Sequence, residues 1–385
     1  MILAGDFGTN DSVIGIFKKG YSEDNDPILV GNAPTYITKK FSNLEEIIKD
    51  FWQNQPDDLK KEIYAACIGI SGTVLGEHGR ILGLPDLAII NKQDLCKLLM
   101  ELSWNVDDEN SCEEPSKRMP VLLINNLGTL DVGRLESKEK LLNINPNSKE
   151  SDKQQDESES PPANRALMAA RWGLAEALLY WDRMDQKFQS LVSQGGHANF
   201  APRNESEIEL LRYLLKQFNP VAIRKVLSEP GLVHIYQFFK ERDNGQTPAP
   251  VKLEELISEN KISEAAKVII EESGLANEKN LCSQTLDLFV SIFGAEAGNL
   301  ALKNLALGGV YITGTIVPKI IVDKQRGDAF MEAFTDRKNK MVRELISSIP
   351  VKVVLSSQNR LYGAARRALD NELRGMIAYT KYNPS

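Results

Sequence analysis

Apolar residues in this chain fall into short unbroken runs, which alternate with segments where they recur every three or four residues. The runs at residues 65–70 and 121–124 are typical of strands that are buried on both faces of a parallel sheet, and residues 2–5 and 12–17 predict two strands around a turn. Residues 44–52 and 94–104 space their apolar side chains along one face of a helix. Because strands alternate with helices, the pattern predicts a mostly parallel α/β sheet.

Several predicted helices have a capping residue at their start or small residues along one face. The sequence Ser42-Asn43-Leu44-Glu45 has the spacing of a capping box, and Asn204 precedes the helix that follows it. Residues 251–273 predict two helices, and residues 284–306 predict a long helix with a stripe of small residues. Such a stripe favours close packing against a neighbouring helix.

The strand predicted at residues 121–124 ends in two amides, Asn125 and Asn126. Ligands of open α/β sheets bind just outside the carboxyl ends of the strands, so both amides are candidates to face a ligand. The other interpretation is a strand that ends in an ordinary polar turn. The turn at residues 6–11, between predicted strands, likewise either presents backbone N–H groups to phosphate or closes a plain hairpin.

Two segments stand out by composition. Residues 167–181 are rich in Ala, Leu, Met and Glu and predict a helix by propensity alone. Residues 145–163 contain almost no apolar side chains and predict a disordered loop. That loop is either a plain insertion or a site of regulatory phosphorylation or partner binding, with the candidate serines Ser151, Ser158 and Ser160.

Composition narrows the classes of function. The chain has 385 residues, of which 42% are hydrophobic, so it is long enough for two domains. A net charge of −7 provides no basic field, and we expect no nucleic-acid partner. The four cysteines form no CxxC pair, which favours reduced thiols. No window reaches 18 apolar residues and the first residues do not form a signal peptide, so we expect no membrane partner and a cytoplasmic protein.

Four segments together resemble the bacterial-type glucokinase family of the actin-like sugar-kinase superfamily. They are GGHANFAPR at residues 195–203, VLSEPGLVHIY at 226–236, LFVSIFGAEAGNLALK at 288–303 and GGVYI at 308–312. The resemblance extends over nearly the whole chain. It implies an α/β protein with a two-lobed, actin-like or hexokinase-type (ribonuclease H-like) sugar-kinase fold and a central cleft.

The resemblance also implies a domain organisation. A small lobe comprises residues 1–125 plus 364–385, and a large lobe comprises residues 126–363, which contain the predicted loop at 145–163. Residues 167–181 become a strand, a turn and a strand of a phosphate-binding element. We prefer this prediction to the helix, because tertiary context overrides propensity.

The first phosphate-binding turn of the family usually reads Asp-x-Gly-Gly-Thr. Here Asp6 and Gly8 match, whereas Thr9 and Asn10 replace the second glycine and the threonine. A Cβ therefore stands where bare backbone would approach a phosphate. If the protein were active, Asp6 would be the candidate for orienting a metal ion.

The other two nucleotide-binding turns also depart from the family pattern. The second usually reads Gly-Thr-Gly-Leu-Gly, and here it begins with Arg171, Trp172 and Gly173. The adenosine turn usually reads Gly-Gly-Gly-Ile-Ala-Pro, and here it retains one glycine, Gly314. The resemblance thus implies Mg-ATP as the cofactor, while the residues themselves argue against a triphosphate cradle of bare backbone.

The family places an Asn-Asp pair after the strand at residues 121–124. Asn125 matches the asparagine, and Asn126 stands at the position of the catalytic aspartate, which would take the proton of the attacking sugar hydroxyl. An amide cannot accept that proton at neutral pH. The loss of a general base removes roughly 10²–10⁴ in rate.

The remaining sugar-binding positions have also lost their carboxylates. The resemblance assigns sugar binding to His197, which is retained, and to two glutamates. Gln194 replaces the first glutamate. Arg224 replaces the second in the alignment without gaps, and Ile223 is the alternative if one residue is inserted.

Three hypotheses follow. The first is a glucokinase-like pseudo-kinase with a regulatory role or with a sugar or sugar phosphate as ligand. The second is an active or weakly active glucokinase with divergent site residues, which converts ATP and glucose to glucose 6-phosphate. The third keeps binding but changes the ligand to an anionic sugar, because carboxylates are lost and a cation is gained. The resemblance further implies a homodimer, and an unknown protein partner fits the first hypothesis.

Overall fold

The computed structural model describes residues 1–20, 26–81, 89–104, 119–130, 141–148, 162–184, 186–274, 280–314, 316–355 and 360–370. The chain forms two compact units, one made of Met1–Glu139 with Ser356–Ser385 and the other of Lys140–Leu355. The lobe boundaries near residues 125 and 363 that the resemblance implies stay a prediction.

The first unit contains a six-stranded sheet and a three-stranded sheet. Its strands are β1 (Ile2–Phe7), β2 (Asp11–Lys18), β3 (Ile28–Val30), β4 (Thr35–Ile37), β5 (Ala65–Ile70), β6 (Gly72–Leu75), β7 (His78–Ile81), β8 (Ile90–Asn91) and β9 (Val121–Asn125). The larger sheet has the order β3-β2-β1-β5-β9, with β4 on β2, and β6, β7 and β8 form the smaller one. Strands β1, β5 and β9 are parallel, as the apolar runs of β5 and β9 predict, and β1 and β2 form the predicted pair of strands around a turn.

Helices cover both faces of this sheet. They span Leu44–Gln53, Asp57–Lys61 and Lys92–Trp104, and a closing helix spans residues 360–370. Side chains alternate between the faces of a strand, so Leu3 packs with the first of these helices, and Ile2 packs with the closing helix. Two-sided burial is the physical reason for the unbroken apolar runs.

The predicted capping box at Ser42 to Glu45 is wrong by one residue. Asn43 is the N-cap, since its side chain accepts a hydrogen bond from the Glu46 backbone N–H at 2.8 Å. The Glu46 carboxylate in turn accepts from the Ser42 N–H at 2.8 Å. Both Ser and Asn are good caps, and the chain places the asparagine at the helix start.

The second unit is built on another six-stranded sheet. Its strands are β10 (Leu141–Asn143), β11 (Arg165–Ala170), β12 (Leu174–Asp182), β13 (Lys187–Ser193), β14 (Val310–Thr313) and β15 (Val351–Val354). Their order is β10-β15-β14-β11-β12-β13, in which β11, β14 and β15 are parallel. Its helices span Glu205–Leu215, Glu229–Asp243, Val251–Ser258, Ile262–Glu272, Leu281–Asn304, Val317–Ile321, Lys324–Thr335 and Lys340–Ser347.

The segment at residues 167–181 forms the hairpin of β11 and β12, which confirms the predicted strand, turn and strand and not the helix that propensity favours. Strand β11 lies between β12 and β14 within the sheet. Leu167 and Met168 are fully buried on its opposite faces. The sheet ladder and this two-sided burial outweigh the small helix propensities of alanine and leucine.

The helix Leu281–Asn304 is a core element. By length and composition it is apolar enough to cross a membrane, with a mean hydropathy of 1.2, but 72% of its most apolar window is buried inside the fold. A Cβ on Gly294 or Gly298 would lie 2.4 or 2.5 Å from the carbonyl oxygens of Phe330 and Phe334. The small residues therefore let this helix pack closely against Lys324–Thr335, as predicted.

The start of the predicted disordered loop is ordered. Residues 145–148 form a turn in which the Asn145 side chain donates to the carbonyl oxygens of Ser347 and Ile349, at 3.0 and 2.7 Å. A single buried amide thus ties this end of the segment to the fold. Residues 149–161, with the candidate serines Ser151, Ser158 and Ser160, lie outside the described residues.

The cysteines that the structure describes are free thiols. Cys67, Cys96 and Cys282 are buried, and burial raises the pKa of Cys67 and Cys282 to about 12. These thiols therefore stay protonated at neutral pH. Cys112 lies outside the described residues.

Candidate functional site

In the first unit, Asp6 and Asn126 meet where parallel strands end. Asp6 is near the carboxyl end of β1, and Asn126 opens a 3₁₀ helix, Asn126–Thr129, directly after β9. The Asn126 amide donates a hydrogen bond to Asp6 Oδ1 at 3.0 Å. Both residues are 8% exposed. The strand ends thus bring together two predicted site residues that are 120 positions apart in the chain.

Arg360 completes this cluster, and the sequence contained no signal for it. It lies at the start of the closing helix, and its Nε donates to Asp6 Oδ2 at 2.9 Å. Each oxygen of the Asp6 carboxylate therefore accepts a hydrogen bond, one from an amide and one from a guanidinium. A carboxylate only accepts, so the nitrogen of the Asn126 amide must face it and cannot take up a proton.

Asn125 uses its side chain locally. Its Oδ1 accepts from the Leu127 N–H at 2.8 Å, and its Nδ2 donates to the Gly72 carbonyl oxygen. The first bond caps the 3₁₀ helix, and the second ties β9 to β6. Both ends of the amide thus contribute to holding Asn126 in place.

The turn after β1 is held from one side by Thr38. The Thr38 hydroxyl donates to the Gly8 carbonyl oxygen at 2.8 Å, and its N–H donates to the Asn10 carbonyl oxygen at 2.7 Å. The Thr9 side chain is fully buried, and Asn10 Oδ1 is buried with no hydrogen-bond partner among the described residues. Side chains of this turn thus point into the fold. Thr38 gave no signal in the sequence because it acts from 30 residues away.

In the second unit, the turn at Arg171, Trp172 and Gly173 joins β11 to β12. The Arg171 N–H donates to the Gly173 carbonyl oxygen at 3.0 Å, and the Arg171 carbonyl oxygen accepts from the Glu229 N–H at 2.5 Å. The turn thereby abuts the first turn of the helix Glu229–Asp243. Arg171 Nε and Trp172 Nε1 are buried donors that lack a partner in the described part of the chain.

Two segments, which we call the loop pair, hold three of the four predicted sugar-binding residues, Gln194, His197 and Arg224; the fourth, Asn125, belongs to the first unit. The two segments are residues 194–200 and 221–228. The Phe200 N–H donates to the Val221 carbonyl oxygen at 2.9 Å, and the Ile223 N–H donates to the Ala198 carbonyl oxygen at 2.7 Å. These backbone bonds bring His197 Nε2 to within 3.2 Å of Arg224 Nη1.

The loop pair also distinguishes the two alternatives for the second lost glutamate. Ile223 is 4% exposed and belongs to the hydrophobic core of the second unit. The Arg224 side chain reaches His197. Arg224, as the alignment without gaps indicates, is therefore the residue beside the histidine.

The electrostatics of the loop pair are unusual. No carboxylate lies within 4.0 Å of Arg224 among the described residues. Desolvation, and then the charge of Arg224, lower the pKa of His197. Since a guanidinium can only donate, Nε2 of His197 is the acceptor, and its proton lies on Nδ1. Desolvation and Arg224 also lower the pKa of Lys225, whose Nζ lies 4.1 Å from the centroid of the Phe218 ring.

Gln194 is exposed, and only its backbone is engaged in the local turn, where its carbonyl oxygen accepts from the His197 N–H at 2.9 Å. The glycines that follow are required by the hairpin packed against them. A Cβ at Gly195 would lie 1.8 Å from Glu176 Oε2, and a Cβ at Gly196 would lie 2.2 Å from the Leu174 carbonyl oxygen. The paired glycines thus indicate close backbone packing.

Sequence reasoning missed Glu176 on β12. This carboxyl group is 5% exposed, and its Oε1 has no hydrogen-bond partner among the residues that the structure describes. Burial, and next the charge of Glu296, raise the pKa of Glu176 to about 7, against weaker opposing effects of Lys303 and of a hydrogen bond with Ser193. The available signal was a single acid inside the otherwise apolar segment at residues 174–181, and helix propensity obscured it.

Gly314, the retained glycine of the adenosine turn, follows β14 with a φ of +100°. That conformation is strained for residues with a side chain, so glycine is required there. The neighbouring Thr315 lies outside the described residues. The described residues contain no group of three His, Cys, Asp or Glu side chains that could hold a metal ion.

Comparison with solved structures defines the class of protein. A glucokinase from Balamuthia mandrillaris, solved in complex with glucose, has a TM-score of 0.69 at 17% identity and covers 96% of this chain and 93% of its own. A glucokinase from an Antarctic psychrotroph has a TM-score of 0.65 at 20% identity, with coverage of 96% and 98%. A ROK family glucokinase from Streptomyces griseus, with glucose and AMPPNP, has a TM-score of 0.51 at 15% identity and covers 96% and 99%. The α/β sugar-kinase fold is thereby confirmed.

Sequence comparison identifies the family. The glucokinase family model matches residues 86–371. A glucokinase of Nostoc sp. (strain PCC 7120) is 31% identical over 376 residues, which cover 95% of this chain and 98% of the relative. A glucokinase of Synechocystis sp. (strain PCC 6803) is 29% identical over 94% of this chain and 96% of the relative. The chain belongs to the glucokinase family, as the four sequence segments predict.

Proposed function

We propose that this member of the glucokinase family has lost the transfer of phosphate from ATP to glucose and acts as a sugar-binding pseudo-kinase. The observation that carries the proposal is the hydrogen bond from the Asn126 amide to Asp6. Family resemblance puts the general base at position 126. A group that donates to a carboxylate there cannot accept the sugar proton.

Asp6 does not replace the missing base. Its carboxylate pairs with Arg360 through Oδ2 and accepts from Asn126 through Oδ1. Both oxygens of this carboxylate are therefore already engaged by donors. The charges of Asp6 and Arg360 balance each other within the first unit.

The residues of the phosphate-binding turns do not fit Mg-ATP. A metal ion would compete with Arg360 for Asp6. In the first turn the Gly8 N–H already donates to the Asp11 carbonyl oxygen at 3.0 Å, and in the second Arg171 and Trp172 stand in place of the family's glycine and threonine. Glucokinases of this fold do bind nucleotide, as the AMPPNP complex from Streptomyces griseus illustrates. We therefore assign no step of chemistry to Mg-ATP in this chain.

An active glucokinase with divergent site residues is the second candidate. It is favoured by the 31% identity to the Nostoc sp. glucokinase over 95% of this chain. The retained residues Asp6, Asn125 and His197 also favour it. It requires a base other than Asn126. The two candidates differ in one measurable property, which is turnover.

The test is ADP formation by the purified full-length protein with Mg-ATP and glucose, beside the variant Asn126→Asp. We expect no turnover above buffer for the natural protein. The variant puts a second carboxylate about 3 Å from Asp6, where like charges cannot both ionise freely. We therefore expect it to regain at most a small fraction of the rate factor of roughly 10²–10⁴ that a general base provides. Asn147→Asp, at an exposed position of the second unit, is the control for adding one negative charge.

Turnover by the natural protein that depends on both substrates would overturn the proposal and establish the second candidate. Turnover by Asn126→Asp alone would support the proposal, because the missing base would then explain why the natural protein has no activity. A homodimer, an unknown protein partner and a cytoplasmic location stay predictions.

A further inference from the structure

The loop pair holds a cation without an acidic partner. Some half-buried arginines of the described chain face carboxylates, as Arg203 faces Glu207 at 2.5 Å and Arg360 faces Asp6 at 2.9 Å. Arg224 instead faces the imidazole of His197 at 3.2 Å. Its positive charge is therefore available to a ligand at this place.

The sequence of the loop pair contains no acidic residue. Residues 194–200 read QGGHANF and residues 221–228 read VAIRKVLS, with Arg224 and Lys225 as the charged side chains. The 15-residue helix Glu229–Asp243 starts directly after them, with Ser228 as its N-cap. The carboxylate of Glu229 in its first turn accepts from the Ser263 hydroxyl at 2.6 Å. The Ser228 hydroxyl donates to the Arg224 carbonyl oxygen at 2.7 Å and fixes the backbone of the arginine.

His197 and Gln194 add groups that suit sugar hydroxyls. His197 accepts from Arg224 through Nε2, so its Nδ1 carries a proton for donation. The Gln194 side chain is exposed and makes no capping bond. An amide both donates and accepts, whereas the carboxylate that it replaces only accepts.

We propose that the loop pair binds an anionic sugar, a hexose that carries a phosphate or a carboxylate, and that Arg224 selects this anion over a neutral hexose. The inference rests on the proposed function, since it names the ligand class of the same site. A guanidinium binds phosphate or carboxylate with two parallel hydrogen bonds, which a neutral hydroxyl cannot match.

The test is isothermal titration calorimetry of the full-length protein with glucose, glucose 6-phosphate, glucuronate and inorganic phosphate. We expect at least one anionic sugar to bind at least about tenfold more tightly than glucose, as charge-assisted hydrogen bonds predict. Glucose 6-phosphate and glucuronate distinguish the source of the anion, and tighter binding of either supports the inference.

Variants make the assignment specific. Arg224→Glu should abolish the preference for the anionic sugar, and Arg224→Lys, which keeps the charge but loses the planar fork, should reduce it less. Arg212→Glu is the control, because Arg212 is an exposed arginine of the same unit that pairs with Glu205 at 3.1 Å. It should leave every affinity unchanged. Thermal unfolding of each variant checks that the fold is intact.

Three results would overturn the inference. They are glucose binding as tightly as both anionic sugars, inorganic phosphate binding as tightly as glucose 6-phosphate, and an unchanged preference in Arg224→Glu. Turnover with ATP and glucose is measured separately, and a positive result would overturn the proposed loss of activity. The preference for an anionic sugar would still be decided by the calorimetric affinities.

Discussion

Glu176→Gln tests the electrostatics of the second unit, because Glu176 is a buried carboxyl group with an unpartnered oxygen. Its pKa is raised from 4.5 to about 7 in the folded protein. A rise of about 2.5 units corresponds to about 3 kcal/mol of free energy between the protonated and the ionised folded state. The glutamine variant keeps the shape of the side chain and removes its ionisation.

The sign of the pH dependence follows from proton binding. Between pH 4.5 and about 7, folded Glu176 holds a proton that the unfolded chain has released, so the stability due to this group falls as pH rises. It is fully present below pH 4.5 and is lost once pH has passed about 7. Glu176→Gln should therefore match the natural protein at pH 4.5 and exceed its stability at pH 8 by up to about 3 kcal/mol.

The assay is urea unfolding of both proteins across this pH range, since the difference between them cancels the titration of groups that do not interact with Glu176. Groups that face Glu176 and enter the difference are Glu296, Lys303 and Ser193. The control is Glu332→Gln, at an exposed position of the helix Lys324–Thr335. A stability difference that is the same at pH 4.5 and pH 8 would refute the reasoning.

Two further predictions concern packing and charge. Gly196→Ala puts a Cβ 2.2 Å from the Leu174 backbone carbonyl oxygen and should cost about 1–3 kcal/mol of unfolding free energy in urea. Gly274→Ala, where the nearest atom is 3.9 Å away, should cost less than about 1 kcal/mol, and equal costs would contradict the packing argument. Arg360→Met leaves the buried Asp6 carboxylate with the Asn126 amide alone and should lower stability at pH 7 by about 2–4 kcal/mol. The control is Arg212→Met in the exposed pair of Arg212 and Glu205, which should change stability by less than about 1 kcal/mol. A comparable loss of stability in both variants would contradict the role assigned to Arg360.

Strands and helix starts could be predicted from the sequence where they depend on residues that are close together in the chain. Unbroken apolar runs predicted the parallel strands β5 and β9, because such strands are covered on both faces. The strands β1 and β2 followed from two apolar segments around a turn. Asn204 was found as an N-cap because its side chain binds the N–H of Glu207, three residues away. The hairpin at residues 165–182 needed the family resemblance, because its propensity favours a helix and the neighbouring strands that override it are remote in the chain.

The chemical state of the candidate site depended on tertiary structure. The sequence by itself determined that the positions of the family's carboxylates hold Asn126, Gln194 and Arg224 or Ile223, which already predicted a change of charge. Only the fold decided that Arg360, 354 residues from Asp6, neutralises that aspartate, and that Arg224 faces His197 while Ile223 is buried. Charge and burial act through space over a few ångströms, so residues far apart in the chain decide which carboxylates ionise and which cations remain for a ligand.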